Sequence, residues 1–450
     1  MPGRRRSDVP TTPDGRCHRW RYGRILADIA ARGGRSFGSR GLTENLTVSA
    51  AAPVQGTAPD VAPTPVWVVI GLAMGPTVAL GLARFAYALL LPPMRADLHW
   101  NYAAAGALNT ANAAGYLAGA LVTAAIGRRF GDKRVFAVAI LLTGFAVAAS
   151  GATTAYGLQL VLRFLAGFTG ALTFVTGAGL TAAAARGGRP ARTATLLGLY
   201  FAGGGFGITL SAIAVPPLVA VAGWRGGWLV LGGLSLVATL IAWAVLRRAP
   251  DTASVAGRQG RGGWSARFMA PKLIGYSFFG AGYIAYATFI IAYLKSAEHL
   301  AAPAISAFWA VLGLAAIAAA FAWGPVLGRL KGGWGAAATT GTVALGAAMP
   351  LVWNGLIGAF LSAILFGGSF LAVVAAVTAF ARRAARPHAW TAVIAAMTAA
   401  FGIGQSIGPV LSGVLSDGPG GVKAGLWLSV AILAAGSVIA MLQREPENAG

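Results

Sequence analysis

Two arginines stand inside long apolar runs: Arg84 in the run at about 66–91, and Arg163 in the run at about 158–182. A guanidinium held in hydrocarbon costs at least ~2.5 kcal/mol on insertion scales, so each needs water, a partner or a ligand. No Asp or Glu lies well inside any apolar run. If the two arginines share one cavity they repel each other, and a bound anion relieves both. A guanidinium fork takes carboxylate or phosphate through two parallel hydrogen bonds, so the pair points to a small organic anion. The competing reading of Arg163 is structural, with its guanidinium bonded to backbone carbonyls of the first run. Tyr87 lies one helical step from Arg84, and Asn109 and Asn112 sit three apart in the second run. Tyr200, Tyr283, Tyr286 and Gln405 also interrupt apolar stretches. Each of these groups can hydrogen-bond a substrate or only a neighbouring helix. Asn112 and Gln405 carry the stronger case, because a buried amide in hydrocarbon needs a partner.

The elements that must position these groups follow from composition. The chain has 450 residues, of which 57% are hydrophobic and 10% charged, against about 25% charged in a typical soluble chain. Apolar runs fall at about 66–91, 102–126, 135–155, 158–182, 194–218, 227–246, 270–294, 303–327, 335–354, 356–380, 390–415 and 424–442. Lipid offers the backbone no hydrogen-bond partner, so runs of this length are read as helices. Ten-residue alternating segments of a membrane barrel are missing. The expectation is an all-α polytopic membrane protein with twelve transmembrane helices. With the N-terminus inside, the inner connections and C-terminal tail hold 19 Lys and Arg, and the outer connections hold four. That asymmetry predicts both termini in the cytoplasm.

Residues 1–65 are read as a disordered basic tail, or as sequence ahead of the true start; Met1–Arg40 alone carries ten Arg. Residues 247–269 read as a Gly/Arg-rich cytoplasmic linker between two six-helix bundles, 66–246 and 270–442, with 443–450 as a cytoplasmic tail. Two similar halves around a central site are the arrangement of a carrier whose halves rock.

Several chemistries drop out. Cys17 is the only cysteine, which leaves no disulfide scaffold and no cysteine cluster for a metal, and no cofactor is expected. The +23 net charge comes without a basic amphipathic helix or aromatic-basic platform, which argues against nucleic acid. There is no Gly-Lys-Ser/Thr phosphate loop, so ATP is not expected to drive the protein. No His/Asp/Glu cluster or Ser–His pair is placed for hydrolysis inside a run, so it is not expected to be an enzyme. Titratable groups able to carry a proton stand only at run ends: Asp97, His99, Glu298, His299 and His388. Solvated boundary residues are the plainer reading of all five.

Small residues four apart (Gly115/Gly119, Gly203/Gly207, Gly404/Gly408) let helices approach closely, and Pro409 removes an interior helix bond. The stretches Gly81-Leu82-Ala83-Arg84-Phe85-Ala86-Tyr87, Gly115-Tyr116-Leu117-Ala118-Gly119, Arg163-Phe164-Leu165-Ala166-Gly167, Gly198-Leu199-Tyr200-Phe201-Ala202-Gly203-Gly204-Gly205 and Gly404-Gln405-Ser406-Ile407-Gly408-Pro409 carry a family resemblance. Over residues 66–442 the chain resembles the major facilitator superfamily, and within it the bacterial YbfB-like transporters.

The resemblance implies a monomeric secondary transporter of the inner membrane, working by alternating access on a small molecule. Protons, the substrate itself or a counter-substrate would supply the gradient. A multidrug exporter is the rival within that class, and a non-transporting sensor or scaffold the rival outside it. The resemblance also implies that the span-4 arginine, Arg163, has a structural or proton-linked role. The superfamily's inner loop between spans 2 and 3 carries a leading acid; here the stretch reads Arg128-Arg129-Phe130-Gly131-Asp132-Lys133. Arg129, Gly131 and Lys133 fit the pattern, but Arg128 takes the acid's place, so the usual latch is not expected. The loop Gly328-Arg329-Leu330-Lys331-Gly332 lacks the acid as well, leaving gating to glycine packing at positions such as Gly167 and to other loop contacts.

Overall fold

The computed structural model describes residues 64–186, 190–252, 264–386 and 389–446, and every regular element in them is helical. Residues 1–63, most of the linker, His388 and the last four residues lie outside the described residues, and with them the expected disordered tail. Helix α1 is Val66–Asp97, α2 Tyr102–Phe130, α3 Asp132–Ala149 and α4 Tyr156–Ala184. The helical stretch Pro190–Leu246 breaks at Gly223 (φ 63°, ψ −170°), giving α5 (190–222) and α6 (224–246); a side chain would strain that left-handed backbone. Then follow α7 (Ala266–Ser296), α8 (Ala302–Leu327), α9 (Trp334–Val352), α10 (Gly355–Ala384), α11 (Trp390–Ser416) and α12 (Gly421–Met441).

Among the described residues, nine helices are long and apolar enough to cross a membrane, with 192–246 counted as one. Ala/Gly-rich α2 and α3, which opens on Asp132-Lys133-Arg134, fall outside that count. Large apolar side chains face outward along the helices, including Phe145 (53% exposed), Leu240 (63%) and Leu345 (58%). So broad an apolar exterior suits lipid and not water.

Helix α7 packs against α11 and α12, α2 lies along α4 and α11, α5 meets α8, α6 meets α3, and the second part of α1 reaches α7. Missing side chains set several crossings. A Cβ on Gly203 or Gly207 would run into the carbonyls of Ala73 and Thr77 of α1, and one on Gly404 or Gly408 into those of Ser277 and Ala281 of α7. Gly115 and Gly119 take the same close approach to Phe164 and Phe168 of α4, as Gly167 does to Asn112 of α2. Such contacts let backbones pack where lipid removes any hydrophobic drive between helices.

Helix α1 is irregular. It begins after Pro65, breaks stride at Ala73 ahead of Pro76, and widens into π-helical turns over Thr77–Phe85 before resuming as Tyr87–Asp97. The backbone N–H of Ala86 reaches back five residues to Gly81 O at 3.0 Å. Wide turns of this kind re-aim side chains and cluster at functional sites. Arg84 lies in them.

The loops between α2 and α3 and between α8 and α9 are held by acids from elsewhere in the chain. Gly131, at φ 80°, makes the turn between α2 and α3. Asp132 accepts a hydrogen bond from Thr252 Oγ1 at 2.6 Å, and Lys133 pairs with Asp251 at 2.9 Å. In the loop between α8 and α9, Gly332 N donates to Glu445, which also pairs with Arg383 at 3.1 Å. The acids come from segments just beyond α6 and α12, so the loops are tied down without the family's leading acid. Arg129 stands over the ring of its neighbour Phe130 at 5.5 Å.

Candidate functional site

The wide turns of α1 aim Arg84 into the core, where it is 2% exposed. Its Nη2 donates to Gln405 Oε1 of α11, and the same oxygen accepts from Tyr283 OH of α7 at 2.9 Å. The guanidinium also stands over the ring of Tyr116 of α2, 5.5 Å from its centre, a favourable cation–π position. Four helices thus converge on one cation. Arg84 Nε and Gln405 Nε2 are buried and have no hydrogen-bond partner. Both salt bridges found among the described residues lie in the end loops, Lys133–Asp251 and Arg383–Glu445, so no carboxylate neutralises Arg84 there.

Aromatic rings wall the cluster. Phe85 meets Phe370 edge-on at 5.3 Å and Tyr283 at 6.4 Å. Tyr283 stacks with Phe279 at 4.9 Å and with Phe401 at 5.6 Å, and Tyr276 continues the stack with Phe401 at 4.7 Å. Sequence reasoning missed Tyr116, Phe370 and Phe401, since aromatics are commonplace in an apolar run. One signal was available: Tyr276, Phe279 and Tyr283 follow the 3–4 spacing of a single helix face.

Arg163 is placed elsewhere. It is fully buried, donates from Nη1 to Ala83 O of α1 at 2.7 Å, and lies over Trp228 of α6 at 4.5 Å. Asn112 Nδ2 donates to the carbonyl of Arg163 at 3.1 Å. Tyr87 stacks on Trp228 at 6.1 Å and donates to Ala105 O at 2.8 Å. Arg163, Tyr87 and Asn112 therefore have protein partners and share none with Arg84.

The other candidates are spread out. Asn109 Nδ2 donates to Thr288 Oγ1 at 2.6 Å, joining α2 to α7. Tyr200 OH donates to Phe174 O of α4 at 2.7 Å, and Tyr286 shares a hydrogen bond with Ser362 of α10. Pro409 sets its carbonyl against Gly106 of α2. Asp97 accepts from Trp224 Nε1 at 2.7 Å, while Glu298 accepts from Tyr293 OH at 2.7 Å and Gly355 N at 2.8 Å. These two acids pin corners of the bundle.

A third buried cation was not foreseen. Lys272, counted from sequence as a loop charge, is 1% exposed; its Nζ has no hydrogen-bond partner and lies 4.3 Å from the Phe380 ring centre.

At the end of the bundle bearing the 98–101 and 417–420 turns, α2 and α11 are fastened together. Asp417 accepts from the backbone N–H groups of Tyr102 and Ala103 at 2.7 and 2.9 Å. Tyr102 also carries Arg95 over its ring at 4.1 Å.

Comparison with known proteins agrees with this architecture. The family described as "Uncharacterised MFS-type transporter YbfB" matches residues 76–441, and the chain belongs to that family of the major facilitator superfamily. It is a multi-pass membrane transporter and not an enzyme. No match was found among curated protein sequences. Similar solved structures include a bacterial homolog of the human lysosomal transporter Spinster, inward-facing and unoccupied, with TM-score 0.65 and 13% identity over 84% of this chain and 97% of that one. A point mutant of the nucleoside transporter NupG aligns with TM-score 0.64 and 14% identity over 84% of this chain and 99% of that one. At such identities the likeness is one of fold.

Proposed function

We propose that the protein is a secondary carrier of a small organic anion. It spans the bacterial inner membrane twelve times, keeps both termini in the cytoplasm, and rocks residues 66–246 against 270–442. The observation that carries the anion is Arg84: a buried guanidinium without a carboxylate among the described residues, held between α1, α2, α7 and α11. An incoming carboxylate supplies the missing charge and two further acceptors. The orientation is supported by the 19-to-four basic asymmetry of the connections.

Arg163 enters this reading as a brace and not as a second anion ligand: Nη1 donates to Ala83 O and the guanidinium lies over Trp228, without contact to Gln405 or Tyr283, while Nε and Nη2 keep no partner. Asp97 and Glu298, engaged at corners, are poor proton carriers, which favours exchange or a cargo that brings its own proton. A multidrug exporter of lipophilic cations would have to set a positive charge beside Arg84.

Thermal-shift screening of the purified protein against organic anions and cationic drugs tests the reading, since ligand that binds only the folded state raises its stability by mass action. Anions should stabilise the wild type and fail to stabilise Arg84→Gln. Stabilisation by cationic drugs alone would refute it.

A further inference from the structure

We infer that the cargo of the Arg84 site is a flat aromatic monocarboxylate, an inference that rests on the anion reading above. Three observations restrict the class. The first is charge. A single guanidinium is joined to Gln405 and Tyr283; Arg163, whose Nε and Nη2 keep no hydrogen-bond partner, bonds instead to Ala83 O and lies over Trp228, and Lys272 lies against Phe380. One cation compensates one carboxylate; a dianion would bring a second charge into a setting that offers it no partner, which is costly in low dielectric.

The second is hydrogen-bond polarity. Arg84 Nη2 and Tyr283 OH both donate to Gln405 Oε1. The buried atoms left over on Arg84 and Gln405, Nε and Nε2, are donors. A carboxylate is acceptor-only and fits such a set, whereas an amide or alcohol would bring its own donors.

The third is the shape of the wall. Tyr276, Phe279, Tyr283 and Phe401 form a slab with ring centres 4.7–5.9 Å apart and planes within 4–17° of parallel. Phe370 continues it, 6.3 Å from Tyr283 and 10° from parallel. Phe85 stands across the slab at 56° and 61° to Tyr283 and Phe370, so the near-parallel rings present one flat face, which a flat ring covers by offset stacking more fully than a puckered one. Tyr116 and Phe401 are half-buried while Arg84, Tyr283 and Gln405 are buried. Of the groups around the arginine, those two rings are the more accessible, and a ligand approaching from their side would enter carboxylate first.

The test titrates the full chain in nanodiscs with four probes: 2-naphthoate, cyclohexanecarboxylate, 2-naphthamide and 2,6-naphthalenedicarboxylate. The expectation is that 2-naphthoate binds about tenfold tighter than each of the others. Arg84→Gln should remove its binding, and Phe401→Leu should bring the naphthoate-to-cyclohexanecarboxylate ratio down to roughly threefold or less. The second variant decides the matter if the first fails to fold. Equal binding of the two monocarboxylates overturns the aromatic inference and leaves the anion carrier standing. Equal binding of 2-naphthamide overturns the anion reading itself. Tighter binding of the dicarboxylate, or no binding of 2-naphthoate, overturns the inference.

Discussion

Arg84 and Arg163 are both buried, at 2% and 0% exposure, and both engage helix α1 or project from it. In sequence they look alike, each a lone cation in an apolar run. Their surroundings differ. The Arg163 guanidinium meets a backbone carbonyl that moves with the helix it braces, and a tryptophan from α6, so its partners come from α1 and α6, with Nε and Nη2 left unpartnered. Arg84 meets a glutamine from α11 that is shared with a tyrosine from α7. A side-chain amide can rotate away when a better acceptor arrives, whereas a main-chain carbonyl stays with its helix. Burial and unpartnered donors are common to both arginines; the exchangeability of the partner is what singles out Arg84 in the proposed reading.

Four substitutions would break or sharpen that contrast. The largest effect is expected from Arg84→Gln, which should abolish anion-driven thermal stabilisation and anion uptake into proteoliposomes while the protein still folds. Retained uptake would erase the distinction between the two arginines. Arg163→Gln should do the opposite. Losing a charged hydrogen bond (~1.5–3 kcal/mol) and a desolvated cation–π contact (~2 kcal/mol) should lower Tm by several degrees while the anion response persists. Gln405→Leu removes the acceptor shared by Arg84 and Tyr283. Anion affinity should change several-fold, smaller than the loss in Arg84→Gln, as read by the ligand-dependent shift in Tm. The smallest effect belongs to Asp251→Asn, whose partner Lys133 leaves it 87% exposed. An exposed pair contributes ~0–1 kcal/mol, so Tm should hardly move, and a large drop would show that the inner-loop latch matters more than its exposure suggests.

Much of the helical layout was legible because continuous apolar length leaves the backbone one solution in lipid. The junction at Gly223 was readable from the apolar pattern, which stops at about 218 and resumes at 227, although the backbone there bends and does not unwind into a loop. The glycine pairs were legible as contact points but not which helices they join. Arg84, Tyr283 and Gln405 were each visible as polar interruptions. Their meeting was not, since they are separated by up to 321 residues and the sequence carries no distance between helices. Lys272 was counted with the loop charges because it stands at the very start of the 270–294 run; the helix begins at Ala266, so the lysine lies inside α7 and against Phe380. Asp251 and Glu445 escaped notice as latches because they follow helix ends, away from the loops they secure.

The widened turns of α1 also bear on how this protein tolerates changes in length. Deleting one residue between Thr77 and Phe85 would remove the extra residue that the wide turns hold and let the helix relax to 3.6 residues per turn, so the side chains within this stretch would move to other faces while those beyond it stay close to register. Tyr87, beyond the wide turns, would keep its reach to the Ala105 carbonyl, but the positions from which Ala83 meets Arg163 and Arg84 meets Gln405 would change. A single-codon deletion in this stretch should therefore disturb the Arg163 brace and the proposed anion site at once.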